Sequence, residues 1–134
     1  MIDIESDVIR AVEQAVTQKR PDVAVYDMEI RGEAVFPCIV LYEADNYSLM
    51  SSRDTGSTDN HAQVMYELNV YSNLTAGRKR DCRAIYALAD EALCRMGFTR
   101  MGTSPVDMQD ATIYRLTGRY SAVVGRDKMI YRRA

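Results

Sequence analysis

Along residues 62–70 apolar side chains fall at every second position, with Ala62, Val64, Tyr66, Leu68 and Val70 on one side and His61, Gln63, Glu67 and Asn69 on the other. A period of two predicts a half-buried strand. The alternation breaks at Asn73, Leu74, Thr75, Ala76 and Gly77, where turn chemistry takes over, and the period then becomes 3.6. From 78 to 96, Cys82, Ile85, Ala89, Leu93 and Met96 form one stripe, widened by Leu88 and Ala92. Arg78, Lys79, Arg80, Arg83, Asp90, Glu91 and Arg95 fall outside it, so the segment predicts a surface helix lying on a sheet. Gly97 is placed to end that helix in the left-handed conformation, with Phe98 folding back onto its last turn.

Residues 2–19 carry the helical pattern again, with Ile4, Val8, Val12, Ala15 and Val16 inward and Ile2 and Ile9 beside them. Asp3, Glu5 and Asp7 suit the positive end of the helix dipole, Lys19 and Arg20 suit the other, and Pro21 stops the helix. Residues 23–30 predict a strand with Ala24, Tyr26, Met28 and Ile30 on one face, and 38–42 a second strand buried on both faces. Residues 43–60 have no core pattern, which is long for a connection in a compact domain. They predict a projecting hairpin arm over 44–60, whose large apolar side chains are Tyr47, Leu49 and Met50. A short strand over 98–101, a bend over 102–105, a turn over 107–110 and a long closing strand over 112–124 follow; Gly118 marks a bulge or a close approach in the last. Residues 125–134, basic around Met129, Ile130 and Tyr131, read as a basic tail that is either an arm or an extra edge strand. This order implies an α+β fold, with two helices packed on one face of a mainly antiparallel sheet and a long hairpin arm.

The length of 134 residues points to a single domain over 1–134, which buries roughly two-thirds of its extended-chain surface on folding. Seventeen basic residues against nineteen acidic ones give a formal charge of −2, so nothing draws the whole molecule to nucleic acid or to anionic lipid. The longest wholly apolar run, 38–42, is far short of the roughly 20 residues of a membrane helix, and no membrane partner is expected. The acidic first residues do not resemble a secretory signal, which predicts a protein made and kept in a cytosol. Cys38, Cys82 and Cys94 all lie on patterns that predict burial, hence free buried thiols in a reducing compartment.

Candidate chemistry is sparse. His61 has no Cys or Glu at a metal-ligand spacing and reads as a solvated strand-edge residue. It is also the sole base available to any cysteine nucleophile, so the expectation is a protein that is not an enzyme and uses no cofactor or metal. Gly77-Arg78-Lys79-Arg80 lacks the glycine spacing and Lys-Ser/Thr pair of a phosphate loop. The plain reading of Arg78, Lys79 and Arg80 is a solvated first turn; cations at a helix start oppose the dipole, and the alternative is an acidic partner or a phosphate of a DNA path. Nine tyrosines against two phenylalanines suit subunit boundaries, where a large ring is buried and a hydroxyl stays wet. Tyr47, Leu49, Met50, Arg53 and Tyr131, with Tyr71, are the interface candidates.

Several motifs in the second half of the chain occur together in one known family. Glu67-Leu-Asn-Val-Tyr-Ser-Asn73, Gly77-Arg-Lys-Arg80, Met96-Gly-Phe-Thr-Arg100, Pro105, Ala111-Thr-Ile-Tyr-Arg115 and Arg119-Tyr120 stand in the order that resembles the tail terminator (tail-completion, minor capsid) family of long-tailed bacteriophages and prophages. The first half matches as helix and strands alone. The resemblance implies an α+β subunit of the virion, at the tail–neck junction, made and assembled in the bacterial host cytoplasm. Its partners would be itself, as a homohexameric ring, the tail tube protein, and a neck or connector protein, with double-stranded DNA passing through without sequence-specific binding. Alternatives are a neck adaptor or head-closure ring protein, or a small nucleic-acid-binding module using the basic turn and tail.

Overall fold

A computed structural model describes residues 1–27, 34–49 and 61–131. The elements in chain order are α1 (Glu5–Lys19), β1 (Ala24–Tyr26), β2 (Cys38–Ser48), β3 (His61–Ser72), α2 (Arg78–Met96), β4 (Thr99–Val106) and β5 (Tyr114–Gly125). The five strands form one sheet in the order β1-β2-β3-β5-β4. β1 runs parallel to β2 and every other pairing is antiparallel, so the fold is α+β with a mainly antiparallel sheet.

One apolar cluster joins the two helices to the sheet. It unites Val8, Val12 and Val16 of α1, Cys82, Ile85, Ala89 and Leu93 of α2, and alternate strand residues such as Leu41, Val64, Leu68, Leu116 and Val124. On β3 and β5 these are the even-numbered positions, because the pleat sends neighbours to opposite faces. α2 ends as its sequence predicts. Gly97 has φ 114, its N–H reaches the Cys94 carbonyl at 3.1 Å, and the Phe98 N–H reaches that of Leu93 at 3.1 Å. That pair of bonds is a Schellman motif, and the buried Phe98 ring that follows it packs edge-on to Tyr66 of β3, centroids 5.2 Å apart.

Three elements differ from the sequence expectation. β2 does not stop at residue 42: a bulge between Glu43 and Asp45 makes Ala44 an extra residue, and the strand continues to Ser48. The bulge restores the alternation, so Asn46 and Ser48 lie opposite Val64 and Ala62 while Asp45 and Tyr47 take the other face. The expected bend at 102–105 is part of β4, which a second bulge between Arg100 and Gly102 keeps in register with β5. β1 is confined to three residues, with Val23 buried and Val25 packed on the core in place of an apolar face led by Ala24 and Tyr26. The rest of that expected strand falls in 28–33, outside the described residues.

Gly118 is explained by a close approach. A Cβ there would overlap the Tyr86 hydroxyl and stand 2.9 Å from the Gly102 carbonyl oxygen. The missing side chain admits a hydroxyl chain between α2 and the sheet. Tyr86 lies 2.9 Å from Thr103 Oγ1 and 3.0 Å from the Tyr120 hydroxyl, which donates to Asp90 Oδ1 at 2.6 Å.

Candidate interaction surface

At the end of the sheet where the β2–β3 hairpin turns, the central strands outrun their neighbours. β1 pairs only as far as Val40, and β4 begins opposite Ser121, whereas β2, β3 and β5 continue to Ser48, His61 and Gly125. The ladder persists one step further, because the Leu49 N–H donates to the His61 carbonyl at 3.1 Å.

Ile130 and Tyr131 return to this projecting stem. Ile130 bridges Val124 in antiparallel sense, and the Tyr131 N–H donates to the Val123 carbonyl at 2.7 Å. Tyr47 lies opposite Gln63 and Gln63 opposite Val123, so Tyr47, Gln63, Val123 and Tyr131 occupy one cross-strand row. Three strand spacings separate the two tyrosines by about 14 Å. The two residues are 49% and 65% exposed, large rings at this end of the described sheet. Two interface candidates far apart in sequence therefore share one row at one end of the sheet. Leu49 stands at the same end, half-buried. Met50 and Arg53, like the rest of 50–60, lie outside the described residues. Tyr71 is elsewhere: it packs against Phe36, centroids 6.4 Å apart, with the Arg115 guanidinium 5.4 Å over its ring.

The start of α2 divides its cations. Arg78 donates to the Leu74 and Thr75 carbonyls at 2.9 and 3.4 Å, holding the turn that precedes it. Lys79, Arg80 and Arg83 are exposed and enter no ion pair among the described residues. Asp81, the acid of the first turn, is directed inward, where Arg20 at 2.8 Å and Ser72 at 2.9 Å use both its oxygens. That cluster ties the end of α1, the end of β3 and the start of α2 together. The hydrogen bond from Arg20 to Asp22 and its contacts with Asp81 hold the guanidinium above its ordinary value against the cost of partial burial.

The helix-free face of the sheet carries a polar ladder that the sequence showed only as the polar side of an alternation. Tyr42 donates to Glu67 Oε2, Asn69 reaches the same oxygen at 3.2 Å, and Arg119 reaches Oε1 at 3.2 Å. Arg115 holds Asn69 Oδ1 with two nitrogens at 3.1 and 2.8 Å. Burial pushes the Glu67 carboxyl up, but the hydrogen bonds from Tyr42 and Asn69 and the two guanidinium charges outweigh it, and Glu67 sits below its ordinary value.

Of the cysteines, Cys38 and Cys82 are buried, and burial pushes their thiols up to about 11 and about 12. Cys94 is exposed, contrary to its expected burial, because it lies beside the stripe that Ala89 and Leu93 bury. His61 is exposed at the start of β3. Among the described residues no group of three or more His, Cys, Asp or Glu is placed to hold a metal ion, and no helix is long and apolar enough to cross a membrane.

No family model matches the chain, and no curated protein does. Among solved structures, a chain that bears no functional name aligns with 89% of this protein and 96% of itself, at 14% identity and a TM-score of 0.46, too loose a likeness to carry an argument.

Proposed function

We propose that the protein is a virion structural subunit that assembles into a ring, caps the phage tail tube, ends its polymerisation and joins the tail to the neck. The observation that supports this reading is the projecting stem, with Tyr47 and Tyr131 exposed on one row at opposite edges of the sheet. Rigid aromatic anchors on a protruding edge suit a contact made in assembly. A ring needs heterologous contacts, one patch meeting a different patch on the next copy, and a stem that outruns its own sheet supplies one partner of such a pair. The order of motifs that resembles the tail terminator family runs through the same frame. Tyr-Ser-Asn closes β3, Gly-Phe-Thr-Arg caps α2 and opens β4, and Ala-Thr-Ile-Tyr-Arg leads into β5.

The test is substitution of Tyr47, Leu49 and Met50 together by serine, with Tyr131→Ser as a separate variant. Both are expected to keep the wild-type circular dichroism spectrum and melting curve while losing ring formation and tail completion. Normal rings and normal tails from the triple variant would sink the reading of the stem.

A further inference from the structure

The helix layer has two oppositely charged ends. α1 and α2 run antiparallel, since Arg20 just beyond α1 reaches Asp81 in the first turn of α2. At that end Lys19, Lys79, Arg80 and Arg83 are exposed, whereas Asp22 and Asp81 are bridged to Arg20 and Asp110 lies within the field of Arg78. At the other end, roughly the 19-residue length of α2 away, or about 28 Å, lies an acidic group. Asp3, Glu5 and Asp7 open α1 there, and Glu43 joins them at the β2 bulge, its own N–H donating to Glu5 Oε2 at 2.8 Å. Asn46 ties the group down through the Ile2 carbonyl at 2.7 Å and Glu43 Oε1 at 3.2 Å. Arg10, three residues beyond Asp7 on α1, enters no ion pair among the described residues.

Two observations mark the acidic end as unfinished. Burial first, and then the charges of Glu5 and Asp3, push the Glu43 carboxyl above its ordinary value, so these carboxylates repel one another. The Tyr66 hydroxyl, fully buried and directly opposite Glu43 across the strands, has no well-formed hydrogen bond among the described residues. Its ionisation is pushed up by burial and then by the same three carboxylates, which places it in their field. An incoming cation relieves this repulsion, and the other end of the same molecule offers exposed cations that enter no ion pair among the described residues.

We infer that the acidic end of one copy docks onto the basic end of the next, Asp3, Asp7 and Glu43 meeting Lys79, Arg80 and Arg83 head to tail. The inference rests on the ring reading and names its occupant: the acidic partner of the α2 cations is a second copy of this chain. Made in one direction only, from the acidic end of one copy to the basic end of the next, the contact is heterologous and builds a ring where the rotation between copies closes. Charge pairs at the rim of such a contact set its register and its salt dependence.

The test uses light scattering over a range of protein concentrations at about 50 mM and about 500 mM salt, where screening lengths differ severalfold. Wild-type self-association is expected to weaken about tenfold or more at the higher salt. Arg80→Glu with Arg83→Glu leaves both ends acidic, and Asp3→Lys with Asp7→Lys brings positive charge to both ends. Each variant alone is expected to associate at least about tenfold more weakly than wild type at low salt. Mixed one to one they are expected to recover the wild-type mass, because every contact in an alternating ring is again between opposite charges. Failure of the mixture to recover, or unimpaired assembly of either variant alone, overturns the inference and leaves the ring reading standing. A wild-type protein that stays monomeric under all conditions and on tube ends overturns both.

Discussion

Two Tyr-Glu steps lie crosswise at the centre of the sheet, and they have opposite fates. Tyr42 faces Glu67 and, one residue on, Glu43 faces Tyr66, so the same two residue types meet on both faces of the β2–β3 ladder. On the helix-free face Tyr42 donates to Glu67, Arg119 and Asn69 complete the carboxylate's shell, and its proton is held less tightly than usual. On the helix face the Tyr66 ring is buried against Phe98, its hydroxyl lacks a well-formed bond, and Glu43 sits among acids with its proton held more tightly than usual. The chemistry is identical, so the surroundings decide. Cations across the strand make one pair a polar clamp, while acids from α1 make the other a core ring beside a frustrated carboxylate.

Truncation breaks the comparison most sharply. Tyr66→Ala removes a fully buried aromatic ring and is expected to destabilise by about 3–5 kcal/mol, read by urea denaturation. Tyr42→Ala removes a half-buried ring and one hydrogen bond, and is expected to cost about half as much. Equal losses would show that the two tyrosines do the same job. The carboxylates should separate next. Glu67→Ala strips Tyr42, Asn69 and Arg119 of an acceptor and is expected to cost about 2 kcal/mol, since bonds to a charged group are worth roughly 1.5–3 kcal/mol. Removing the hydroxyls alone sharpens the contrast further. Tyr42→Phe is expected to cost about 1 kcal/mol, and Tyr66→Phe to leave stability unchanged or raise it, because an unsatisfied buried hydroxyl contributes nothing when kept. A loss above about 1 kcal/mol in Tyr66→Phe would mean that its hydroxyl has a partner in solution.

Much of this frame is legible in the order of residues alone. The alternation over 62–70, the 3.6 period over 78–96 and the Gly97-Phe98 stop are local signals, and each element forms where its pattern places it. The two bulges are not legible, because a bulge is a property of pairing. Ala44 becomes an extra residue only by reference to β3, and Asp45 and Asn46 look like loop residues until Met65 and Val64 stand opposite them. Glu67 and Asn69 are visible as polar positions, but their role as a hub depends on Arg115 and Arg119, which β5 brings alongside. The row that joins Tyr47 to Tyr131 is hidden for the same reason, since it needs the registers of three pairings. Cys94 shows a limit of stripes: it neighbours Leu93, and a rotation of one residue, about 100°, takes it from the core to water.

The smallest effect tests the sign of the two carboxylates against each other. Glu67 has a folded-state value below its unfolded one, so its stabilisation is complete above the ordinary glutamate value of about 4.3 and is lost as pH falls through the depressed value. Glu43 has a raised folded-state value, so the folded protein binds its proton more tightly than the unfolded chain does. Its stabilisation is complete below about 4.3 and is lost as pH rises through the raised value. The two slopes have opposite signs in adjoining windows, Glu67 below about 4.3 and Glu43 above it, so between them they place a stability maximum near that pH. Glu67→Gln is therefore expected to fall less steeply than wild type below about pH 4.3, the remaining fall coming from Asp22 and Asp110, whose carboxyls are held down by hydrogen bonds from Arg20 and Thr112. Glu43→Gln is expected to melt slightly higher than wild type at neutral pH and to fall more steeply on acidification. Melting curves from about pH 3 to pH 8 at fixed ionic strength read both variants. Parallel profiles in the two would mean that the two faces hold their glutamates alike, and that the crosswise pairs differ only in how deeply their tyrosine rings are buried.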